Sequence, residues 1–169
     1  MKHSQARWWV FATAFLVFPF FLRRRPRVER RVTILAPPAS IFPFLNDLRN
    51  WALWTEWNRR YEIDYAYGEK TAGEGATQEW ETSHIDGSLT ILRSETDSKI
   101  DYELQLDGQR RILGRLELHP DGACTRVTWR CVWDRAENPY RRYIDLLLLR
   151  LIGRDFQHSL ENLKEIVES

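Results

Sequence analysis

Aromatic side chains occupy several of the apolar positions that alternate with polar ones in the middle of the chain, and their type and spacing suit the binding of an apolar molecule. Trp80, Tyr102 and Trp129 share this spacing with aliphatic neighbours, as expected for strands that turn one face towards a core. Large flat rings on one face either line a pocket for a flat or lipidic ligand or fill the interior completely. Both interpretations stay open on the sequence alone.

Catalysis inside such a pocket would need polar groups that converge within it. By alternation, Arg93, Tyr102 and Tyr65 are the candidates on the inward face. The chain lacks the motifs of phosphate loops, serine hydrolases and zinc proteases. Its four histidines and two cysteines do not have the spacing of metal ligands. We therefore expect no metal and no cofactor.

The elements that must position these residues follow from the hydrophobic periodicity. A strand at Arg30–Leu35 precedes two short helices, Pro38–Leu45 and Leu48–Trp57, and six antiparallel strands lie between Tyr61 and Trp133. A single long helix runs from about Asn138 to Val167. One apolar sheet face and one amphipathic helix are both buried only if the sheet curls around the helix. The predicted fold class is therefore α+β, a curved antiparallel sheet around a C-terminal helix.

Two residues predict local irregularities in these helices. Pro43 should kink or shorten the first short helix, because proline lacks the backbone donor and clashes with the preceding turn. Gly153 lies in the middle of the long helix, where glycine is unfavourable, and this indicates a close approach by another group.

The predicted site is the space between the sheet and the long helix, with Trp54 and Trp57 near its mouth. The residues expected to line it come from the second short helix, the strands and the long helix. They are Trp54, Trp57, Tyr65, Trp80, Ile91, Tyr102, Leu104, Leu116, Trp129, Trp133, Leu147, Leu151 and Phe156.

Three segments occur in the order and spacing of one protein family. The first begins at Val32–Pro38 and continues through Ile41-Phe42 and Leu45-Asn46-Asp47 to Trp51 and Trp54. The second is Thr125–Trp129. The third is Ile152–Phe156 together with Leu160–Lys164. Together they resemble the START-like (SRPBCC, helix-grip) superfamily, in its polyketide cyclase/dehydrase-like branch. The resemblance spans about residues 28–168 and implies a hydrophobic cavity between the sheet and the C-terminal helix. Ser159 departs from the family pattern, which often has glycine there, and Asp86-Gly87-Ser88 stands where Gly-x-Gly is common.

The resemblance implies non-catalytic binding of a hydrophobic small molecule or lipid. A cyclase- or dehydratase-like enzyme acting on a polyketide-type substrate is the alternative from the enzyme class. A structural or interaction module with a filled core is the third possibility.

The net charge of +1 conceals two segments of opposite sign. Residues 1–31 carry +7 and residues 32–169 carry −6, and the acidic domain speaks against nucleic acid as a partner. Residues 8–22 are apolar except for one threonine, with no small-residue cleavage site after them. The sequence predicts a membrane anchor and basic linker at residues 1–27 and a ligand-binding domain at 28–169.

The flanking charges predict the orientation of this anchor. Lys2 and Arg7 precede it and six arginines follow it, so the positive-inside rule puts the domain on the cytoplasmic side of a single-pass membrane protein. Cys124 and Cys131 lie seven residues apart in one predicted strand. Their side chains then point to opposite faces and do not pair, which fits a reducing compartment.

The anchor makes a prediction that cell fractionation tests. The full-length chain should sediment with the membranes and require detergent for release, because residues 8–22 bury their apolar side chains in the bilayer. Recovery of the intact chain in a high-speed supernatant without detergent contradicts it.

Overall fold

Strands and helices follow one another in the order that the hydrophobic alternation predicts. The computed structural model describes residues 27–61, 63–82, 86–108, 110–133 and 141–169, and the side chains of 110 and 141–149 are outside the description. The strands are β1 (Arg27–Ile34), β2 (Tyr65–Tyr67), β3 (Thr77–Trp80), β4 (Gly87–Glu95), β5 (Lys99–Leu106), β6 (Arg110–Asp121) and β7 (Cys124–Trp133). The helices are α1 (Pro38–Asn46), α2 (Leu48–Trp54), α3 (Glu56–Arg60) and α4 (Arg141–Glu168).

The seven strands form one antiparallel sheet in the order β1-β7-β6-β5-β4-β3-β2. β1 pairs with β7 along its whole length, from Arg27 opposite Val132 to Ile34 opposite Thr125. Helix α4 packs against β1 and against the three short helices. The predicted α+β fold, a curved sheet around a C-terminal helix, is confirmed.

Pro43 lies inside α1 without shortening it, so that part of the expectation is wrong. The helix continues to Asn46. Two indole N–H groups of α2 donate to the carbonyls of Phe44 and Leu45, at 3.0 and 2.9 Å. Helix ends are stable when their free carbonyls find donors, and these bonds stabilise the last turn beyond the proline.

The single helix expected at Leu48–Trp57 is instead two helices that meet at Thr55. The Thr55 hydroxyl donates to the Trp51 carbonyl at 2.7 Å, and Thr55 itself is extended, with φ −75° and ψ 134°. The Glu56 N–H that opens α3 donates to the hydroxyl of Ser159 on α4, at 2.8 Å. Threonine ends α2 because its hydroxyl competes with the next helical turn, and Ser159 then caps α3 from outside.

Further polar contacts hold α3, which buries none of its own side chains. Asn162 of α4 donates to the Trp54 carbonyl at 3.2 Å and accepts from Arg59 at 2.8 Å. Arg60 forms an ion pair with Asp155 of α4 at 3.0 Å. The position of α3 therefore depends on side chains one and two turns apart on a single face of α4.

The close approach expected at Gly153 is confirmed. Arg30 Nε of β1 donates to the Gly153 carbonyl at 2.9 Å, and a Cβ at this position would overlap the guanidinium group. Lys164 donates to the Thr33 carbonyl of the same strand at 3.0 Å. The edge strand β1 is thus covered by α4 and closed to further strand pairing.

No helix within the described part of the chain is long and apolar enough to cross a bilayer. Residues 8–22, which the sequence predicts to be the anchor, lie outside the described residues.

The contact between Ser159 and α3 predicts a loss of stability on truncation. Ser159→Ala removes the acceptor of the Glu56 N–H, so the free energy of unfolding should fall by about 1 kcal/mol. Ser40→Ala in α1 is the matched control, because Ser40 is exposed. Denaturant unfolding measures both variants, and equal stability of the two contradicts the capping role.

Candidate functional site at the open end of the interior

Strand register sorts the side chains that face α4 into rows across the sheet. One row joins Ile91, Tyr102, Gly114 and Cys131 through direct cross-strand pairs, and each of these residues is buried. A Cβ at Gly114 would overlap the Tyr102 ring. The glycine therefore lets the phenol lie flat on β6, where the ring occupies space that would otherwise be empty.

Trp129 lies at the centre of the next row and makes this half of the interior a filled core. Its ring stacks on Phe156 of α4 with centroids 3.9 Å apart and planes 4° apart. The indoles of Trp51, Trp54 and Trp57 surround it at 6.2, 5.2 and 5.8 Å. Offset and edge-on contacts of this kind add to the stabilisation from burial.

The predicted site residues Trp54, Leu116 and Trp129 are fully buried in this core. Trp54 was expected near the mouth, but its ring lies in the core instead, because the chain turns at Thr55 and carries only Trp57 outwards. Phe156 is 5% exposed. These predicted site residues thus pack within the filled core.

A hydrogen-bonded chain of three side chains crosses the core. Trp129 Nε1 donates to the Tyr102 hydroxyl at 2.7 Å, and that hydroxyl lies 3.1 Å from Cys131 Sγ. Burial raises the pKa of Tyr102 well above its ordinary value and that of Cys131 to about 12. Both groups therefore stay protonated and uncharged near neutral pH, and the Tyr102 hydroxyl is fully engaged within the protein.

The Arg93 side chain does not reach the interior, contrary to the expectation from alternation. The β4–β5 register shifts between Ile91 and Arg93. A bulge of this kind turns the following residues to the other face. Arg93 is exposed and forms an ion pair with Glu95 at 2.7 Å. Arg93 and Tyr102 thus do not form the inward pair that a cyclase-like mechanism would need.

Five side chains in the next rows of the inner face remain half-buried, although Gln78, Leu89 and Ile112 in the same rows are buried. We name these five the open end: Tyr65, Trp80, Leu104, Leu106 and Trp133. These side chains share the inward face through the pairs of β2 with β3, β4 with β5, and β6 with β7. The open end is therefore an apolar surface that the rest of the described domain covers incompletely.

Two aromatic contacts shape the rim of the open end. The Trp80 ring lies over Gly87, where a Cβ would overlap it, and meets the Tyr65 ring edge-on at 5.9 Å. The Tyr65 hydroxyl donates to Asn58 of α3, and burial raises its pKa. Helix α3 is thus tied to the rim, and its Trp57 separates the open end from the filled core.

Two further predicted residues belong to α4. Leu151 is 56% exposed and is not part of the open end, and the side chain of Leu147 lies outside the described ones. Ile91 belongs to the fully buried row below. Two residues of this region were not among the predicted site residues: Leu106, which continues the alternation of β5, and Gln78, a polar residue in the apolar phase of β3.

A cavity of about 550 Å³ adjoins the open end on the outer side of the sheet. Tyr65, Trp80 and Gly87 border it together with outward-facing residues such as Glu79, Ser88 and Gln105. Its carboxylates are those of Asp64, Glu79, Glu81 and Asp86. Among the described residues no group of histidine, cysteine or acidic side chains has the arrangement of a metal site.

The family of the chain follows from a family model that matches residues 25–168, that of polyketide cyclase / dehydrase and lipid transport proteins. The chain belongs to this family. The START-like resemblance seen in the sequence is thereby confirmed. A comparison with curated proteins finds no significant match.

Several solved structures share the fold of this chain. KanY protein superposes with a TM-score of 0.66 at 18% identity, over 86% of this chain and 99% of its own. The Thermus thermophilus protein TTHA0849 gives 0.63 at 16%, over 84% and 97%. DynU16, from the dynemicin biosynthetic locus, gives 0.61 at 12%, and the match covers 85% of this chain but 47% of DynU16. At identities this low, the superpositions show a shared fold alone.

The buried chain of hydrogen bonds makes a prediction about stability. Tyr102→Phe leaves the Trp129 N–H without its acceptor inside the core, so the free energy of unfolding should fall by about 1–3 kcal/mol. Tyr61→Phe is the matched control, since Tyr61 is 55% exposed. Chemical denaturation compares the two, and a Tyr102→Phe variant as stable as Tyr61→Phe contradicts the assignment.

Proposed function

We propose that this member of the polyketide cyclase / dehydrase and lipid transport family binds a hydrophobic small molecule or lipid at the open end, without catalysing a reaction. The observation that carries the proposal is the contrast in burial between particular side chains of neighbouring rows on the inner face. Tyr102 and Cys131 are fully covered, whereas Trp80, Leu104 and Trp133 stay half-buried. An apolar surface that remains uncovered beside a complete core is typical of a ligand site.

The chemistry of the surface favours binding over catalysis. Each of the three candidate polar residues has a partner within the protein: Arg93 pairs with Glu95, the Tyr102 hydroxyl is bonded within the core, and the Tyr65 hydroxyl donates to Asn58. An apolar ligand needs no polar group to bind. Covering about 200 Å² of apolar surface gives a gross stabilisation of about 5 kcal/mol before the entropy of association is subtracted.

Strand β1 relates the open end to the predicted anchor. Arg27, the first residue of β1, pairs with Val132, next to Trp133 of the open end. Residues 23–26 separate it from the apolar segment and reach at most about 14 Å when fully extended. This register supports a domain whose open end faces the bilayer from the cytoplasmic side, so that a lipidic ligand enters without crossing water.

Titration of the full-length chain with N-phenyl-1-naphthylamine, a neutral apolar fluorophore, tests the proposal. Saturable quenching of tryptophan emission with energy transfer to the probe is expected. Leu104→Glu puts a charge in the open end and should weaken binding at least about tenfold, because its direct cross-strand neighbours, Leu89 and Ile112, offer the carboxylate no partner.

Leu113→Glu is the control for this titration, because Leu113 is 46% exposed and lies opposite Glu103 on the outer face of the sheet. This variant keeps the apolar segment at residues 8–22 and should bind the probe with the same affinity as the natural chain. Quenching that does not saturate, or equal losses in the two variants, would rule out ligand binding at the open end.

A further inference from the structure

Gln78 is a buried polar residue on the inner face of the sheet. It pairs with Tyr67 on β2 and with Leu89 on β4, in a row that continues through Leu104. Gln78 is 4% exposed. A glutamine in the apolar phase of a buried strand is unfavourable unless its amide has partners.

The side chain of Gln78 makes no hydrogen bond to the residues that the structure describes. Its amide offers two donor hydrogens and an acceptor oxygen. Most other buried polar side chains of the described residues are satisfied, as where Thr125 donates to Ala36 and Asn162 to Trp54, whereas the Thr128 hydroxyl, like the Gln78 amide, makes no hydrogen bond to a described residue. A buried amide without a partner is rare in folded proteins, and its presence calls for a physical reason.

The position of Gln78 supplies that reason. Trp80 of the open end is two residues further along β3, and residues that share a strand face are about 7 Å apart. Leu104, also of the open end, lies in the same row as Gln78. The amide thus lies at the inner limit of the surface that an apolar ligand would cover.

We infer that Gln78 is the polar recognition residue of this site and hydrogen-bonds a carbonyl or hydroxyl group at the buried end of the ligand. The inference rests on the proposed function and narrows the ligand class to neutral apolar molecules that carry such a group. A carboxylate fits poorly, because Tyr67 and Leu89, the direct cross-strand neighbours of Gln78, carry no positive charge, and the adjoining outer cavity carries four carboxylates.

Binding of two matched probes to the full-length chain tests this inference. 1-Naphthol carries a hydroxyl where 1-methylnaphthalene carries a methyl group, and calorimetry gives the ratio of their affinities. The natural chain should prefer 1-naphthol, and Gln78→Met should lower the affinity ratio by about tenfold. Gln105→Met is the control, because Gln105 lies on the outer face and donates to Glu103, and it should leave the ratio unchanged.

The melting temperature without ligand gives an independent measurement. Gln78→Met, with Gln78→Leu as a second variant, should raise it by about 2–4 °C, because each removes a buried amide that has no partner among the described residues. A lower melting temperature in both variants overturns the inference, since the amide would then be stabilised within the protein itself.

The two proposals fail in distinguishable ways. If both probes bind and the affinity ratio is the same in Gln78→Met as in Gln105→Met, the role of Gln78 is wrong and the proposed function stands. If the natural chain binds neither probe, both proposals are wrong.

Discussion

The face-to-face stack of Trp129 on Phe156 fixes α4 on the sheet, and the rest of the interior depends on it. The two planes are 4° apart at 3.9 Å, a geometry that leaves no room for water or ligand between strand and helix. With Phe156 held there, the following turns of α4 bring Ser159 and Asn162 to the junction of α2 and α3. The stack thus positions the short helices as well as the long one.

The division of the interior into a filled core and an open end follows from where glycines meet aromatic rings. Because Gly114 has no side chain, the Tyr102 ring lies flat against β6 and fills the space in that row. Gly87 accepts the Trp80 ring in the same way at the rim. There the neighbours are Leu106 and Tyr65 rather than a layer of tryptophans, and the surface stays half-buried. The same contact, an aromatic ring over a cross-strand glycine, therefore occurs in the filled core at Gly114 and at the half-buried rim at Gly87.

Alternation along each strand was enough to predict which face of the sheet is apolar, because side-chain direction has a period of two residues. Alternation was not enough to predict how deeply each side chain is buried. Trp129 and Trp133 have the same phase on β7, yet Trp129 is fully buried and Trp133 is half-buried, since depth depends on what α4 brings opposite each row. Local exceptions were also missed: the bulge before Arg93 and the break at Thr55 arise from pairing with distant residues. That Gln78 finds no partner among the described residues is likewise a property of its surroundings.

Helix α3 lies between the filled core and the open end, and polar side chains of α4 contribute several of its contacts. None of its side chains is fully buried, although Trp57 packs against Trp129 and Phe156. The hydrogen bonds and ion pair of Ser159, Asn162 and Asp155 link it to α4. Polar contacts near the surface contribute less to stability than burial does. A displacement of α3 would uncover Trp57, whose ring contacts both Trp129 and Phe156, and would release Tyr65 at the rim. The helix that borders the open end is thus held by polar contacts and one half-buried indole, whereas the core is held by the packing of fully buried rings.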